Sequence, residues 1–240
     1  MKFTAPIFIL KQHAKALSRK EKIPLHQALD RIASREGFNS WSLLAAKAVS
    51  ERPSERFLEQ LSPGDLALIA ARPGQGKTLF SLELAVEAIR RGSRAAFFTL
   101  EFTQADVAEC FEIMDERLSN FTDKLLIDDS DQICADYIAA RLASAPANML
   151  VIIDYLQLLD QKRLNASIAD QIQRLKAFAG ERQLIIVCLS QIDRRYDASK
   201  QPFPGFGDVR LPNPLDISLF NHACFLSRGR LQLAVPPINV

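Results

Sequence analysis

The chain has 240 residues, is 48% hydrophobic and carries a net charge of only +2, which suffices for one α/β domain plus a small appendage. No apolar run approaches the roughly 18–20 residues that cross a bilayer, and Met1–Leu10 lacks a small-residue cleavage site, so membrane-spanning and exported proteins are excluded and a cytoplasmic one is expected. The charge is uneven: residues 1–56 hold 11 Lys and Arg against 5 Asp and Glu (+6), leaving 19 against 23 (−4) for the rest, so the basic front segment admits nucleic acid or an acidic protein as partner.

Helical spacing of apolar residues predicts helices over Ile7–Ser18, Leu25–Arg35 after Pro24, and Ser40–Ala48 after the Gly37-Phe38-Asn39 turn. Residues 1–50 thus read as a basic three-helix module of helix-turn-helix size, centred on Phe38, Trp41 and Leu44 with Leu29 and Ile32. Ser50–Ser54, with Pro53 and mixed charges, reads as a linker, so the second domain is expected over residues 55–240. From there the period changes. Short apolar runs at Leu66–Ala70, Ala95–Leu100, Leu125–Ile127, Leu150–Ile153 and Ile185–Leu189 predict buried strands. The intervening helices are expected at Lys77–Arg91, Gln104–Leu118, Gln132–Ala145 and Ser167–Arg182. Such alternation means an α/β fold, a parallel sheet flanked by helices on both faces. Residues 194–214 form a Pro/Gly-rich stretch, and His222–Leu226 with Arg230–Val235 read as an antiparallel hairpin on the sheet edge. Cys110, Cys134, Cys188 and Cys224 are far apart and lack ligand spacing, as expected for reduced core residues.

The residues that carry chemistry begin at Ala71-Arg72-Pro73-Gly74-Gln75-Gly76-Lys77-Thr78, between the first predicted strand and a long helix. A Gly-rich loop in that context is the Walker A pattern. The backbone from Arg72 to Leu79 is expected to surround the phosphates of ATP, helped by the positive end of the helix starting near Lys77. Lys77 is expected on the β/γ oxygens and Thr78 on Mg2+. Asp154 ends the apolar run Leu150–Ile153 and is the expected second metal-supporting group. Glu101 follows the strand Ala95–Leu100 and is the expected water-orienting base; the other reading is a solvated Glu near a helix start, where Thr103 and Asp106 resemble a capping box. Gln191, after Ile185–Leu189, is placed to contact a γ-phosphate, or else is a plain loop residue. Arg194, Arg195, Lys200 and Arg210 alternate with Tyr196, Phe203 and Phe206, which suits a loop tracking single-stranded nucleic acid; a polar loop without a ligand is the equal alternative.

Taken together, AARPGQGKT, FFTLE, LLIDDS, VIIDYLQLL and CLSQIDR occur in the order and approximate spacing of the DnaB family of replicative helicases, which this chain resembles over about Leu61–Arg195. The resemblance implies a RecA-like fold and strengthens the roles of Lys77, Thr78, Glu101, Asp154 and Gln191. It implies a homo-oligomer, with a ring as one form, and single-stranded DNA as partner. Asp208-Val209-Arg210 resembles the family's acidic-Leu-Arg segment on the DNA side. The resemblance makes Arg228 or Arg230 a candidate for the family's inter-subunit arginine finger, a solvated turn being the other reading, since the basic segment there is reduced to Ser227-Arg228-Gly229-Arg230. In place of the larger N-terminal helical domain of family members stands the basic module, whose expected role is contact with DNA or a protein partner, or packing as a helical cap. Besides a DNA-stimulated ATPase or helicase, a nucleotide-switched binding or regulatory module remains open.

Overall fold

The computed structural model describes all residues except 1–3, 5, 6, 52, 160–165, 200, 211–214, 228, 229 and 237–240. Two compact units divide the chain: Met1–Pro53 with Arg228–Arg230, and Ser54–Ser227 with Leu231–Val240.

The first unit contains α1 (Ile7–Glu21), α2 (Leu25–Arg35) and α3 (Trp41–Glu51). Its core is built at helical spacing: Leu10 and Ala14 from α1, Ala28, Ile32 and Ala33 from α2, and Leu44 from α3, with Leu29, Phe38 and Trp41 partly buried against them. The turn before α3 uses Gly37 at φ 84, a left-handed value that favours glycine. Asp30 on α2 then accepts the Trp41 amide at 2.8 Å and so caps α3. The boundary between the units falls within the expected linker Ser50–Ser54, but its described residues are mostly helical. Helix α3 runs to Glu51 and α4 (Pro53–Leu58) begins at Pro53, so helix lies on both sides of residue 52. Proline suits a first helical position, where no N–H is required, and Phe57 and Leu58 give α4 a buried face.

The second unit is a sheet of β1 (Leu66–Ala71), β2 (Ala95–Thr99), β3 (Leu125–Asp128), β4 (Leu150–Asp154), β5 (Ile185–Gln191), β6 (His222–Ser227) and β7 (Arg230–Ala234). The strands lie in the order β3-β2-β4-β5-β1-β6-β7. Pairing is parallel from β3 through β6. Because side chains alternate, β1 sends Ala67, Ile69 and Ala71 to one core layer and Leu66, Leu68 and Ala70 to the other. Helices α5 (Lys77–Arg90) and α6 (Gln104–Ile113) cover the first layer; α7 (Ala135–Arg141) and α8 (Ile168–Arg182) cover the second. With both faces covered, the central strands carry no polar alternation.

Two expectations change. Helix α6 stops at Ile113 because Asp115 takes φ 61, and α7 occupies only the middle of the predicted Gln132–Ala145. Before α7 the chain turns, with Ser130 N–H donating to Asp128 and Gln132 N–H to Ser130; after it, Pro146 turns Ala145 away from helix. The two terminal strands end the sheet side by side, as expected of a hairpin at its margin: β6 pairs parallel with β1, and β7 lies beside β6 at the edge. Among the described residues no helix is long and apolar enough to cross a membrane.

Candidate active site

In a parallel sheet the strands all release their chains at the same edge, and here the ends of β1, β2, β4 and β5 meet. From β1 the chain passes through Arg72–Gly76 into α5. Gly74 and Gly76 take φ 75 and 83, so two left-handed residues turn the strand into the helix. Gly76 is also the N-terminal cap of α5 and leaves the first amides of that helix without a side-chain partner. Amides in that state, backed by the helix dipole, suit a phosphate group. Leu79 turns its side chain into the first core layer, so its contribution to the loop is limited to the backbone.

Asp154 is the hub. Its side chain is fully buried at the end of β4, and it accepts from Lys77 Nζ at 2.7 Å and from Thr78 Oγ1 at 2.8 Å. Lys77 Nζ also stands 5.3 Å from the Tyr155 ring centroid. An ammonium beside a carboxylate, with a hydroxyl on the other oxygen, satisfies a charge that burial alone would make costly. The Thr78 hydroxyl and Asp154 carboxylate are hard oxygen donors side by side, the set that Mg2+ takes when phosphate oxygens and water complete its shell.

Glu101 reaches the same edge from the neighbouring strand, because β2 pairs with β4 so that Thr99 faces Asp154. The buried Thr99 hydroxyl accepts from the amides of Glu101 and Phe102 at 3.2 and 3.0 Å, which fixes the turn. Thr103 and Asp106 form a complete capping box for α6, so Glu101 is not needed as a cap and stands at the exposed rim. Partial burial raises its carboxyl pKa, the Asp154 charge adds to the effect, and Lys77 opposes it. A carboxylate at the rim whose basicity is raised in this way is a candidate general base.

Gln191 ends β5, with its Cα paired to Ala71 at the end of β1. The following chain is pinned beneath it. Ile192 N–H donates to Ala71 at 3.0 Å, Arg210 N–H donates to Gln191 at 2.7 Å, and Ile192 and Val209 form an antiparallel bridge. Gln157 donates to Ser190 Oγ at 2.7 Å and to the Arg210 carbonyl. Arg72 turns away from the loop interior: Nε and Nη2 donate to Asp197 at 3.0 and 2.9 Å, and Nη1 to the Ile192 carbonyl at 3.1 Å. A bidentate guanidinium thereby joins the start of the loop to the turn at Arg194–Ala198.

The structure thus gathers Lys77, Thr78, Asp154, Glu101 and Gln191 at one sheet edge, with Arg210 close to them through Gln191 and Gln157. Arg194 and Arg195 are exposed, Arg195 forming only a 3.7 Å pair with Asp193. The aromatic half of the expected nucleic-acid loop fares differently. Tyr196 and Phe206 pack against the second core layer, Phe206 edge-on to Phe225 at 5.2 Å, because rings joined to the sheet by short turns bury more apolar area than rings held in water. Lys200 and Arg228 lie outside the described residues, and Arg230 is partly exposed at the start of β7. The sequence offered no role for Asp197 and none for Gln157 beyond its place in the Asp154-Tyr155-Leu156-Gln157 run, while Ser190 was legible only as the neighbour of Gln191.

Comparison with known proteins bears on the same segments. Residues 54–120 and 108–213 match the family described as DnaB-like helicase C terminal domain. The replicative DNA helicase DnaB of Mycoplasma pneumoniae is 26% identical over 71% of this chain and 45% of its own length, and that of Mycoplasma genitalium is 29% identical over 69% and 44%. The chain therefore spans less than half the length of the curated relatives it matches. Among solved structures, one described as an ATPase domain has a TM-score of 0.58 at 22% identity, covering 76% of this chain and 80% of its own. A DnaB-like replicative helicase, solved with its interactions with primase, has a TM-score of 0.59 at 18% identity, covering 90% and 65%. These structures share the fold, the RecA-like parallel sheet with flanking helices. Because that family model matches residues 54–213, more than half of the chain, the chain belongs to the DnaB-like helicase C-terminal domain family.

Proposed function

We propose that this chain binds Mg-ATP at Arg72–Leu79 and hydrolyses it, as the motor or switch of a nucleic-acid-associated assembly. The single observation that carries the reading is the Asp154 hub, which holds the Lys77 ammonium and the Thr78 hydroxyl on its two oxygens at the mouth of a glycine loop. In this reading the loop amides and Lys77 take the phosphates, and Thr78 and Asp154 support the metal, whose role is to neutralise developing charge. Glu101 accepts the proton of the attacking water, and Gln191 senses the γ-phosphate. The Arg72–Asp197 pair and the Gln157–Arg210 link supply a path from that phosphate to residues 194–210, a candidate nucleic-acid contact. Family membership supports a homo-oligomer, with Arg228 or Arg230 reaching a neighbour's nucleotide. Residues 1–50 act as a separate module that contacts a partner, and expression of residues 55–240 as a folded, nucleotide-binding protein tests that division.

The test of the central reading is ATP turnover with and without single-stranded DNA for the wild type and Glu101→Gln. The variant should bind Mg-ATP as the wild type does and turn over about 10²-fold more slowly or worse, because it loses a proton acceptor and no phosphate contact. Equal turnover by the two proteins would remove Glu101 as base, and absence of wild-type turnover would leave only nucleotide binding.

A further inference from the structure

The most uneven surface among the described residues lies on α1. Apart from Glu21, which pairs with Arg31, every charged residue of this helix is a cation: Lys11, Lys15, Arg19 and Lys20. Lys11, Lys15 and Arg19 recur every four residues and fall within about 80° of arc, roughly 6 Å apart along the axis. The opposite side of the helix buries Leu10 and Ala14. Lys15, Arg19 and Lys20 are exposed, as are Gln12 and Ala16 beside them, and exposed Lys22 follows directly.

Two ordinary explanations fall short. Cations in the last turn favour the negative end of the helix dipole, which accounts for Arg19 and Lys20 but not for Lys11 and Lys15 one and two turns earlier. Solvation of a charged helix face normally brings both signs, spaced to attract; here like charges sit within a Debye length of one another. Their mutual cost is visible at Lys11, whose pKa is lowered first by partial burial and then by the Lys15 charge. A ligand for this face must therefore be a regular polyanion. Among the described side chains, those beside the cations are Gln12 and Ala16, which offer no anchor of the aromatic or aliphatic kind on which protein interfaces centre. Among the described side chains of α3, where a recognition helix would carry base contacts, the outward ones are Ser42, Leu43, Ala46 and Lys47, a poor set for reading bases.

We propose that the exposed Lys15, Arg19 and Lys20 on α1 form a phosphate-tracking face that binds the nucleic-acid backbone without reading its sequence. This inference rests on the nucleic-acid partner of the proposed function and is independent of the nucleotide site.

The experiment uses the full chain without nucleotide. Fluorescence anisotropy measures binding to labelled random-sequence duplex and single-stranded DNA from about 50 to 200 mM salt, the range in which phosphate contacts are lost. The wild type is compared with Lys15→Gln/Arg19→Gln/Lys20→Gln and with the charge-keeping Lys15→Arg/Arg19→Lys/Lys20→Arg. Each lost contact lowers the slope of log K against log salt by about 0.9 on duplex, so the Gln variant should lose roughly 2.7 in slope and at least about tenfold in affinity at the low-salt end. The charge-keeping variant should retain both, and DNA-free ATP turnover should be the same in all three. An unchanged slope in the Gln variant would overturn the proposal, as would a wild type with no DNA affinity at low salt. Binding of polyglutamate or anionic vesicles in preference to DNA would overturn it in favour of an acidic protein or a membrane surface. Loss of wild-type ATP turnover with the slope difference intact would refute the hydrolytic reading and leave this one standing.

Discussion

Replacing Lys77 with Met keeps length and apolar volume at the hub and removes only the ammonium. In the structure Nζ lies 2.7 Å from Asp154 Oδ1, with the two side chains 10% and 0% exposed, so the carboxylate has almost no access to water. Without Lys77 its remaining hydrogen-bond donor is the Thr78 hydroxyl at 2.8 Å. Breaking a buried pair from one side costs about 3–5 kcal/mol, since the surviving charge keeps its desolvation penalty and loses its compensation. For a domain of this size, 1 kcal/mol moves Tm by about 2–4 °C, so Lys77→Met should unfold roughly 6–20 °C below the wild type without Mg2+ or nucleotide. The double variant Lys77→Met/Asp154→Asn carries no buried charge there and should recover most of the loss. Nucleotide affinity should behave oppositely: both variants should bind Mg-ATP about 100-fold more weakly or worse, because neither restores the cation on the phosphates. Circular dichroism melts give the first quantity and calorimetry the second. A single variant melting within about 2 °C of the wild type, or a double variant no more stable than the single one, would refute the view that Asp154 is a buried charge held by Lys77.

Other consequences follow from individual groups. Burial pushes the Glu83 carboxyl on α5 up to about 7, so the folded state holds a proton that the unfolded chain releases near pH 4.5. The unfolded chain therefore binds fewer protons between those values, and stability falls as pH rises from about 4.5 to 7, by up to about 3 kcal/mol and less because part of the side chain stays exposed. Glu83→Gln should match the wild type near pH 4 and exceed it at pH 8 in chemical denaturation; equal stability at pH 8 would count against it. Asp197→Asn weakens the fork that holds Arg72, and since Asp197 is 55% exposed the loss should be about 0.5–1 kcal/mol, seen as a two- to fivefold rise in KM for ATP. No change in KM would show that the phosphate loop holds its shape without the tether.

What the sequence determined by itself is whatever chemistry is local. The glycine loop is contiguous, and Gly74, Gly76 and the start of α5 follow from backbone sterics acting within a few residues. The Thr103–Asp106 capping box, the five apolar strands and, in the first unit, the core positions Ile32 and Leu44 were legible for the same reason, since period and capping act over one or two turns; Phe38 and Trp41, expected at that core's centre, are only partly buried. Asp154 was readable because an acid ending an apolar strand has few other uses once the loop is present. Tertiary structure alone decided which of these pieces meet. The strand order sets β4 two places from β1, which brings Asp154 onto Lys77 across 77 residues of chain, and it joins Arg72 to Asp197 across 125. It also decided that Tyr196 and Phe206 pack against the core, and that the predicted helices at 104–118 and 132–145 stop short. Those outcomes turn on competition for burial and on single backbone angles such as that of Asp115, neither of which leaves a periodic trace in the sequence.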